Sequence, residues 1–440
     1  MTELKNTKAL HTGREIFYMV LAVAAMVPGV YVRVAGVHPT PILGAALFGL
    51  AIVGAAFMLS WAAEIVQLDI SGGLALALLA LIAVLPEYAV DFVFAWKAGT
   101  DLSQAPNALA NMTGGNQLLI GFGWPLVVLL ATWRIRKLRA ATQGLVGGAD
   151  QDKVVLAPIQ SVDIAFLSLA TIYGLFLPLR SSLTLVDAAV LVAIYVGYLI
   201  RLSRAPAETP HLVGPAAMVG QLPTRTRRTL NILFFVIAAG VILAAAEPFA
   251  ESLVELGQAY DIPEFLLVKW LAPLASESPE LLVAALFAWR LQSSTGLGAL
   301  VSSKVNQWTL LVGTLPLVFI ISSSIGKSAL SAGGLPLGPE QQAELFVTAA
   351  QSVFAVAVLS SRSMDRKEAW VLFALFVAQF VESIYVSLIL DAGENPVGRV
   401  VVGIIFLVAA AWVISRNWRL LRQMIGDGLR RPINELLTGD

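Results

Sequence analysis

The chain has 440 residues, 58% of them apolar and only 13% charged, and its mean hydropathy of +0.79 describes an integral membrane protein rather than a water-soluble domain. Its 29 basic and 29 acidic residues cancel, which leaves no electrostatic case for a nucleic-acid partner. The absence of cysteine removes disulfides, thiolate metal centres and cysteine nucleophiles together.

Lys5, Lys8 and Arg14 precede the first apolar run, a charge pattern shared with signal peptides. No small-residue cleavage site follows and further apolar runs do, so this run is expected to be a retained helix. In chain order the runs occupy 15–35, 41–66, 72–97, 107–133, 157–179, 183–201, 229–256, 263–289, 297–323, 341–361, 368–389 and 397–416. Each is near the roughly 20 residues that cross a bilayer as a helix. None alternates apolar and polar residues at period two, as a barrel strand would. The predicted fold class is all-α, a polytopic membrane protein of about 12 transmembrane helices.

Basic residues gather after even-numbered runs: Arg134, Arg136, Lys137 and Arg139; Arg201, Arg204, Arg225, Arg227 and Arg228; Arg362, Arg366 and Lys367. The tail adds Arg419, Arg422, Arg430 and Arg431. Positively charged loops stay inside, so both termini are expected in the cytoplasm, with the chain in the inner or plasma membrane. The proline-rich stretch 202–228 is the longest polar connector, and no soluble domain accompanies it. His11, His38 and His211 all fall in polar connecting segments.

Two parts of the chain repeat. Leu85-Pro86-Glu87 with Phe94-Ala95-Trp96-Lys97 is echoed, 193 residues on, by Ser278-Pro279-Glu280 with Phe287-Ala288-Trp289-Arg290. Asn116-Gln117 is echoed by Asn306-Gln307 at an offset of 190, and Ala63-Glu64 more weakly by Ala250-Glu251. The charge pattern sends the Glu87 helix outward and the Glu280 helix inward, so the repeats are inverted. The expected organisation is a tail and extra helix over 1–36, a first five-helix unit over 37–201 and a cytoplasmic linker over 202–228. A second five-helix unit over 229–389 and an extra helix with a basic tail over 390–440 complete it.

An acidic side chain inside a membrane helix is costly and marks a functional position. Pro86 and Pro279 each precede a glutamate and withhold a backbone donor, which frees carbonyls one turn earlier. Asp91 follows Glu87 by one turn; Glu277 precedes Glu280 by one turn, between Ser276 and Ser278. Asn111-Met112-Thr113-Gly114-Gly115-Asn116 and Ser302-Ser303-Lys304-Val305-Asn306 add amides, hydroxyls and one lysine in the next helix of each repeat. Oxygen donors of this kind suit hard cations such as Na⁺ or Ca²⁺, and the same carboxylates can hold a proton instead. Glu64, Glu247, Glu251 and Glu382 read as helix-end or packing residues, with a proton path as the alternative. Lys269 is expected to snorkel from the outer end of its helix, and Trp96 and Trp289 to anchor at opposite interfaces. There is no nucleotide-binding loop for an ATP-driven pump, and no paired histidine or activated nucleophile for an enzyme.

A Pro-Glu helix followed by Asn-x-x-Gly-x-Asn, present in two inverted halves, resembles the α-repeats of the sodium/calcium exchanger superfamily of cation antiporters. The resemblance covers about 72–125 and 268–316. It implies that Glu87 and Glu280 form the centre of the ion site, with Asn111, Gly114 and Asn116 in repeat one and Asn306 in repeat two matching the asparagine motif. The chain departs from the family pattern in several places. Val84-Leu85 replaces a hydroxyl pair, Asp91 replaces a small hydroxyl residue, and Lys304 lies at or beside a glycine or small polar position. An ammonium at 304 could occupy a cation subsite by pairing with Glu277 or Asp91, or could lose its proton when an ion enters.

The expected function is secondary antiport by alternating access, exchanging Na⁺ or Ca²⁺ for H⁺, or Na⁺ for Ca²⁺. The alternative is transport of another, anionic or organic, solute that Lys304 receives. Glu87 and Glu280 would hold the metal ion, Asp91, Glu277, Asn116, Asn306, Ser276 and Ser303 would complete the site, and Lys304 would set its charge or couple it to protons. No cofactor is expected beyond the transported cation and H⁺. The partners are the lipid bilayer and inorganic cations, with no obligate protein partner evident.

Overall fold

A computed structural model describes residues 2–69, 85–141, 152–204, 212–326, 333–388 and 396–438. The first half contains α1 (Thr2–Val34), α2 (Pro41–Val66), α3 (Leu85–Ala98), α4 (Ala105–Leu118), α5 (Trp124–Ala141), α6 (Ser161–Gly174) and α7 (Leu185–Leu202). After the short α8 (Pro215–Gly220) come α9 (Thr224–Tyr260), α10 (Glu264–Trp289), α11 (Ser293–Asn306), α12 (Val312–Ile325), α13 (Pro339–Val358), α14 (Arg366–Leu388), α15 (Val397–Arg430) and α16 (Ile433–Thr438). Among the described residues, 11 segments are long and apolar enough to cross a membrane, and they coincide with all the predicted runs but one. Of the predicted run 72–97, residues 72–84 lie outside the described residues, and α3 is the remainder. His11 lies within α1 rather than in a connecting segment, because the helix starts well before the apolar run.

Each Asn-Gln pair sits where a crossing helix changes its winding. A π turn, Leu119–Gly123, joins α4 to α5, and a second, Gln307–Leu311, joins α11 to α12. The wider turn re-aims side chains without ending the crossing, a device common at functional sites.

Two short strand pairs establish that the halves are inverted. β1 (Lys153–Val155) precedes α6 and β2 (Ser182–Leu183) follows it; β3 (Leu335–Pro336) precedes α13 and β4 (Ser363–Asp365) follows it. β1 pairs with β4 and β2 with β3, both antiparallel. The start of α6 is therefore level with the end of α13, and matching helices run in opposite directions. The basic connectors share one face. β1 and β4 belong to two of them, Arg201 donates to the tail carbonyls of Gly428 and Arg431, and Arg227 and Arg228 both hold Asp69 at the end of α2.

Packing separates an enclosed middle from a lipid-facing rim. The best apolar window of α13 is 89% buried, against 28% for α1, α14 and α15. The many Ala, Ser and Thr residues of α13 allow close helix approach, the usual basis of packing where lipid is as apolar as leucine. Residues of α1, α2, α8 and α9, such as Met26, Met58, Ala216 and Phe234, form a hydrophobic core of their own beside the main one. Leu191 and Tyr195 of α7 belong to the main core.

Candidate functional site

α3, α4, α10 and the second π turn meet around a narrow cavity, too tight as it stands to admit a water molecule. Glu87 and Asp91 enter it from α3, one turn apart on one face; Asn111 and Gly115 line it from α4. Pro273, Ser276 and Glu277 line it from α10, and Gln307 from the π turn. Helix approach here depends on two glycines. Pro273 leaves the Lys269 carbonyl without its helical donor, and Gly114 packs so tightly on that carbonyl that a Cβ would overlap it. A Cβ at Gly115 would stand 3.2 Å from Glu277 Oε1.

The cavity is short of donors. Asn111 donates to Asp91 Oδ1 at 2.8 Å, and Gln307 donates to Glu277 Oε1. Both carboxylate oxygens of Glu87, Asp91 Oδ2, Glu277 Oε2, Glu280 Oε1 and the amide oxygens of Asn111 and Gln307 are buried without a hydrogen-bond partner. Buried polar atoms are ordinarily satisfied, and a row of acceptors without donors calls for a cation or protons. As they stand, no three Asp, Glu, His or Cys side chains among the described residues converge into a ready metal site.

Glu280 is one turn from Glu277 but is not part of the cavity wall. Its charge bears on Glu87, and the Ser303 hydroxyl lies beside its carboxyl. Ser276 lines the cavity while its hydroxyl donates back to the Ala272 and Pro273 carbonyls, both at 3.3 Å. The Ala275 carbonyl, freed by Pro279, is taken by the Ser278 hydroxyl at 3.0 Å rather than turned to an ion.

Lys304 pairs with neither Glu277 nor Asp91. Its ammonium donates to Asn116 Oδ1 at 2.5 Å and lies 4.5 Å above the Trp308 ring, entirely buried. Gln307, the first residue of the π turn, takes the Glu277 carboxylate, while Lys304, three residues earlier, faces α4. The second asparagine is held from the opposite half, since Tyr88 donates to Asn306 Oδ1 at 3.0 Å. Asn116 and Asn306 thus stand outside the cavity wall, each fixed by a residue of the other half. Tyr88 carried no sequence signal, because its counterpart in the repeat is Leu281; Gln307 was visible only as the second member of a repeated pair.

Lys269 does not snorkel. It is 1% exposed, and its ammonium is 2.7 Å from both carboxylate oxygens of Glu344, which also pairs with Arg399 at 2.6 Å. Proline-rich α10 turns this lysine inward, where an acid on α13 replaces water. Glu247 and Glu251 form half-exposed ion pairs with Arg33 and Lys97, while Glu64 accepts from the Val213 backbone. Trp96 and Trp289 are about half exposed, as interfacial anchors are.

The family description sodium/calcium exchanger protein matches residues 40–203 and 230–385. The chain is similar to the H⁺/Ca²⁺ exchanger CAX, at 35% identity over 97% of this chain and 99% of that one, with a TM-score of 0.83. It shares its fold with the Ca²⁺/H⁺ antiporter YfkE, at 14% identity over 83% of this chain and 98% of that one, TM-score 0.58. It does so also with the sodium-calcium exchanger NCX_Mj, at 14% identity over 78% of this chain and 99% of that one, TM-score 0.50. No curated protein sequence matches it. With both inverted halves matched and the acidic residues of each half brought to one place, the chain belongs to the sodium/calcium exchanger family.

Proposed function

We propose that the protein is a secondary cation antiporter, which exchanges Na⁺ or Ca²⁺ for H⁺, or Na⁺ for Ca²⁺, by alternating access. The observation that supports this most is the set of buried, donor-less oxygens of Glu87, Asp91, Glu277 and Glu280 between two inverted halves. A hard cation satisfies such oxygens, and so do protons; the two compete for one set of carboxylates, which is the chemistry exchange requires. Glu87 and Glu280 would hold the ion, Asp91, Glu277 and Ser276 would complete its oxygen shell, and Ser303 would orient Glu280. Residues 37–201 and 229–389 would be the two units.

In this reading Asn116 and Asn306 position the helices, and Lys304 supplies a fixed charge beside the site. Because that ammonium is already spent on Asn116, the arrangement favours a cation over an anionic solute. The moving body would comprise α1, α2 and α9, which share a second core with α8 while Phe48 of α2 and Phe249 of α9 also touch the main one; α7 contributes to the main core and not to the second. The termini and basic connectors would face the cytoplasm.

Purified protein in liposomes, given an outward Na⁺ or Ca²⁺ gradient, should move protons or labelled counter-ion inward. The lack of any such coupled movement across Na⁺, K⁺ and Ca²⁺ at several pH values overturns the reading.

A further inference from the structure

Apart from the cavity, a second group of charges runs from the enclosed α13 out to the rim helices α14 and α15. Glu344 of α13 sits at its centre, bound by Lys269 of α10 and by Arg399 of α15. Arg399 also pairs with Glu340 at 2.8 Å, whose side chain is 18% exposed. The Phe265 ring lies beneath both cations, 5.9 Å from the Lys269 ammonium and 5.5 Å from the Arg399 guanidinium.

Glu382 of α14 is the acid left over. Its carboxyl packs against the backbone of Gly398, next to Arg399. The charged groups it faces are Arg399 on α15, Lys269 on α10 and Glu344 on α13. Both of its carboxylate oxygens are shielded, yet neither has a hydrogen-bond partner among the described residues. On the adjoining arc of the same helix, Gln379 and Ser383 are 2% and 1% exposed, and their side-chain polar atoms are also without partners. That arc faces α10, because Phe376 and Phe380 beside it pack on Trp270, whose indole nitrogen is a further unpartnered group.

The charge count is the physical argument. Two bases against three acids leave one negative charge when every group is ionised. Glu382 is only partly buried, on a helix at the lipid-facing rim, where a negative charge without a partner is poorly solvated, and a single bound proton removes it. The unpartnered oxygens of Glu382 are where that proton has room to sit, since both oxygens of Glu344 are already held.

The group is also tied to the cation cavity. Gln117 donates to Glu344 Oε2 at 3.2 Å and to the Thr348 hydroxyl at 2.7 Å, and its chain neighbour Asn116 is the residue that holds Lys304. Lys269 is one turn from Pro273, which lines the cavity.

We propose that Glu382, with Glu344, Lys269 and Arg399, forms a second proton-binding site, distinct from the cation cavity and connected to it through Gln117 and α10. Its ligand is a single proton, exchanged at the α14 edge. The connection to the cavity rests on the antiport reading above; the proton site itself does not.

Two measurements separate these claims. Infrared difference spectra of the purified protein across pH should contain a carboxylic acid band that Glu382→Gln removes and Glu382→Asp retains. The pH midpoint of cation exchange in liposomes should move by about one unit in Glu382→Gln, a tenfold change in apparent proton affinity, with cation affinity at alkaline pH unchanged. An unaltered carboxyl band in Glu382→Gln overturns the proton site. A lost band with an unmoved midpoint overturns its connection to the cavity. Absence of exchange in the unsubstituted protein instead counts against the antiport reading and leaves the infrared result to decide the site.

Discussion

The protein carries two buried groups of charges, and they differ in how their charges are satisfied. In and beside the cavity Glu87, Asp91, Glu277 and Glu280 hold oxygens with no donor, while the nearby cation, Lys304, is bound to an amide. In the Lys269–Glu344–Arg399 group both bases and the central acid are paired at 2.6 to 2.7 Å. Paired charges of this kind satisfy one another across helices, and only Glu382 beside them is left to take a proton. Unpaired acceptors are costly in the free protein and regain that cost only when a cation or proton arrives. The contrast separates construction from transport: α10 contributes to both, through Lys269 near its start and Glu277 with Glu280 further on.

Substitution can break this division. The largest effect is expected at the candidate ion site, where Glu87→Gln or Glu280→Gln removes one charge facing the bound cation and should lower coupled cation flux by about 100-fold or more. The substituted proteins should remain folded by size-exclusion chromatography. Normal flux in both variants would show that the acids are structural after all.

Removing one paired charge should act on stability first. Lys269→Met leaves Glu344 with Arg399 alone and should destabilise the protein by about 3–5 kcal/mol, read as a lowered unfolding midpoint in detergent. Lys269→Met with Glu344→Met should recover part of that loss, because the uncompensated charge goes too. Equal loss in both variants would mean that packing, not charge, is what Lys269 supplies.

Lys304→Gly tests whether the ammonium sets the charge of the cavity. Removing a positive charge beside donor-less carboxylates should raise divalent cation affinity by about tenfold or more, measured by calorimetry with Ca²⁺. An unchanged ion profile would reduce Lys304 to a helix fastener on Asn116.

The smallest effect belongs to a charge pair at the membrane edge. Hydrogen bonding from Arg227, with Arg228 beside it, holds the Asp69 carboxyl below its usual range. A carboxylate whose folded value is depressed stabilises the fold above its unfolded value and loses that contribution as pH falls through the folded one. Asp69→Asn should therefore cost about 1 kcal/mol or less at neutral pH and nothing at strongly acidic pH, seen as a flatter acid limb in thermal unfolding.

How much was legible in the chain follows from which signals are local. Apolar length is local, so the crossings were readable, down to the Pro at the start of α2. The inversion was readable because Pro86-Glu87 and Pro279-Glu280 recur while basic residues alternate between connectors. The acids were visible as expensive exceptions in apolar runs. The hydrogen bonds between helices were not, because Tyr88 to Asn306 and Gln117 to Glu344 join positions that are 218 and 227 residues apart. The role of Lys269 was misread for the same reason: position along a helix does not say whether an acid waits on the neighbouring one.

By itself the sequence determined that this is a membrane protein of inverted halves with acids at matched positions, because hydropathy, charge placement and repetition act along the chain. Only the tertiary structure decided which oxygens are left without donors and which charges cancel. The close seating of α4 on α10 at Gly114 and contacts such as Gln307 to Glu277 fix those pairings, and pairing across helices is what separates the charges that satisfy one another from those left without a donor.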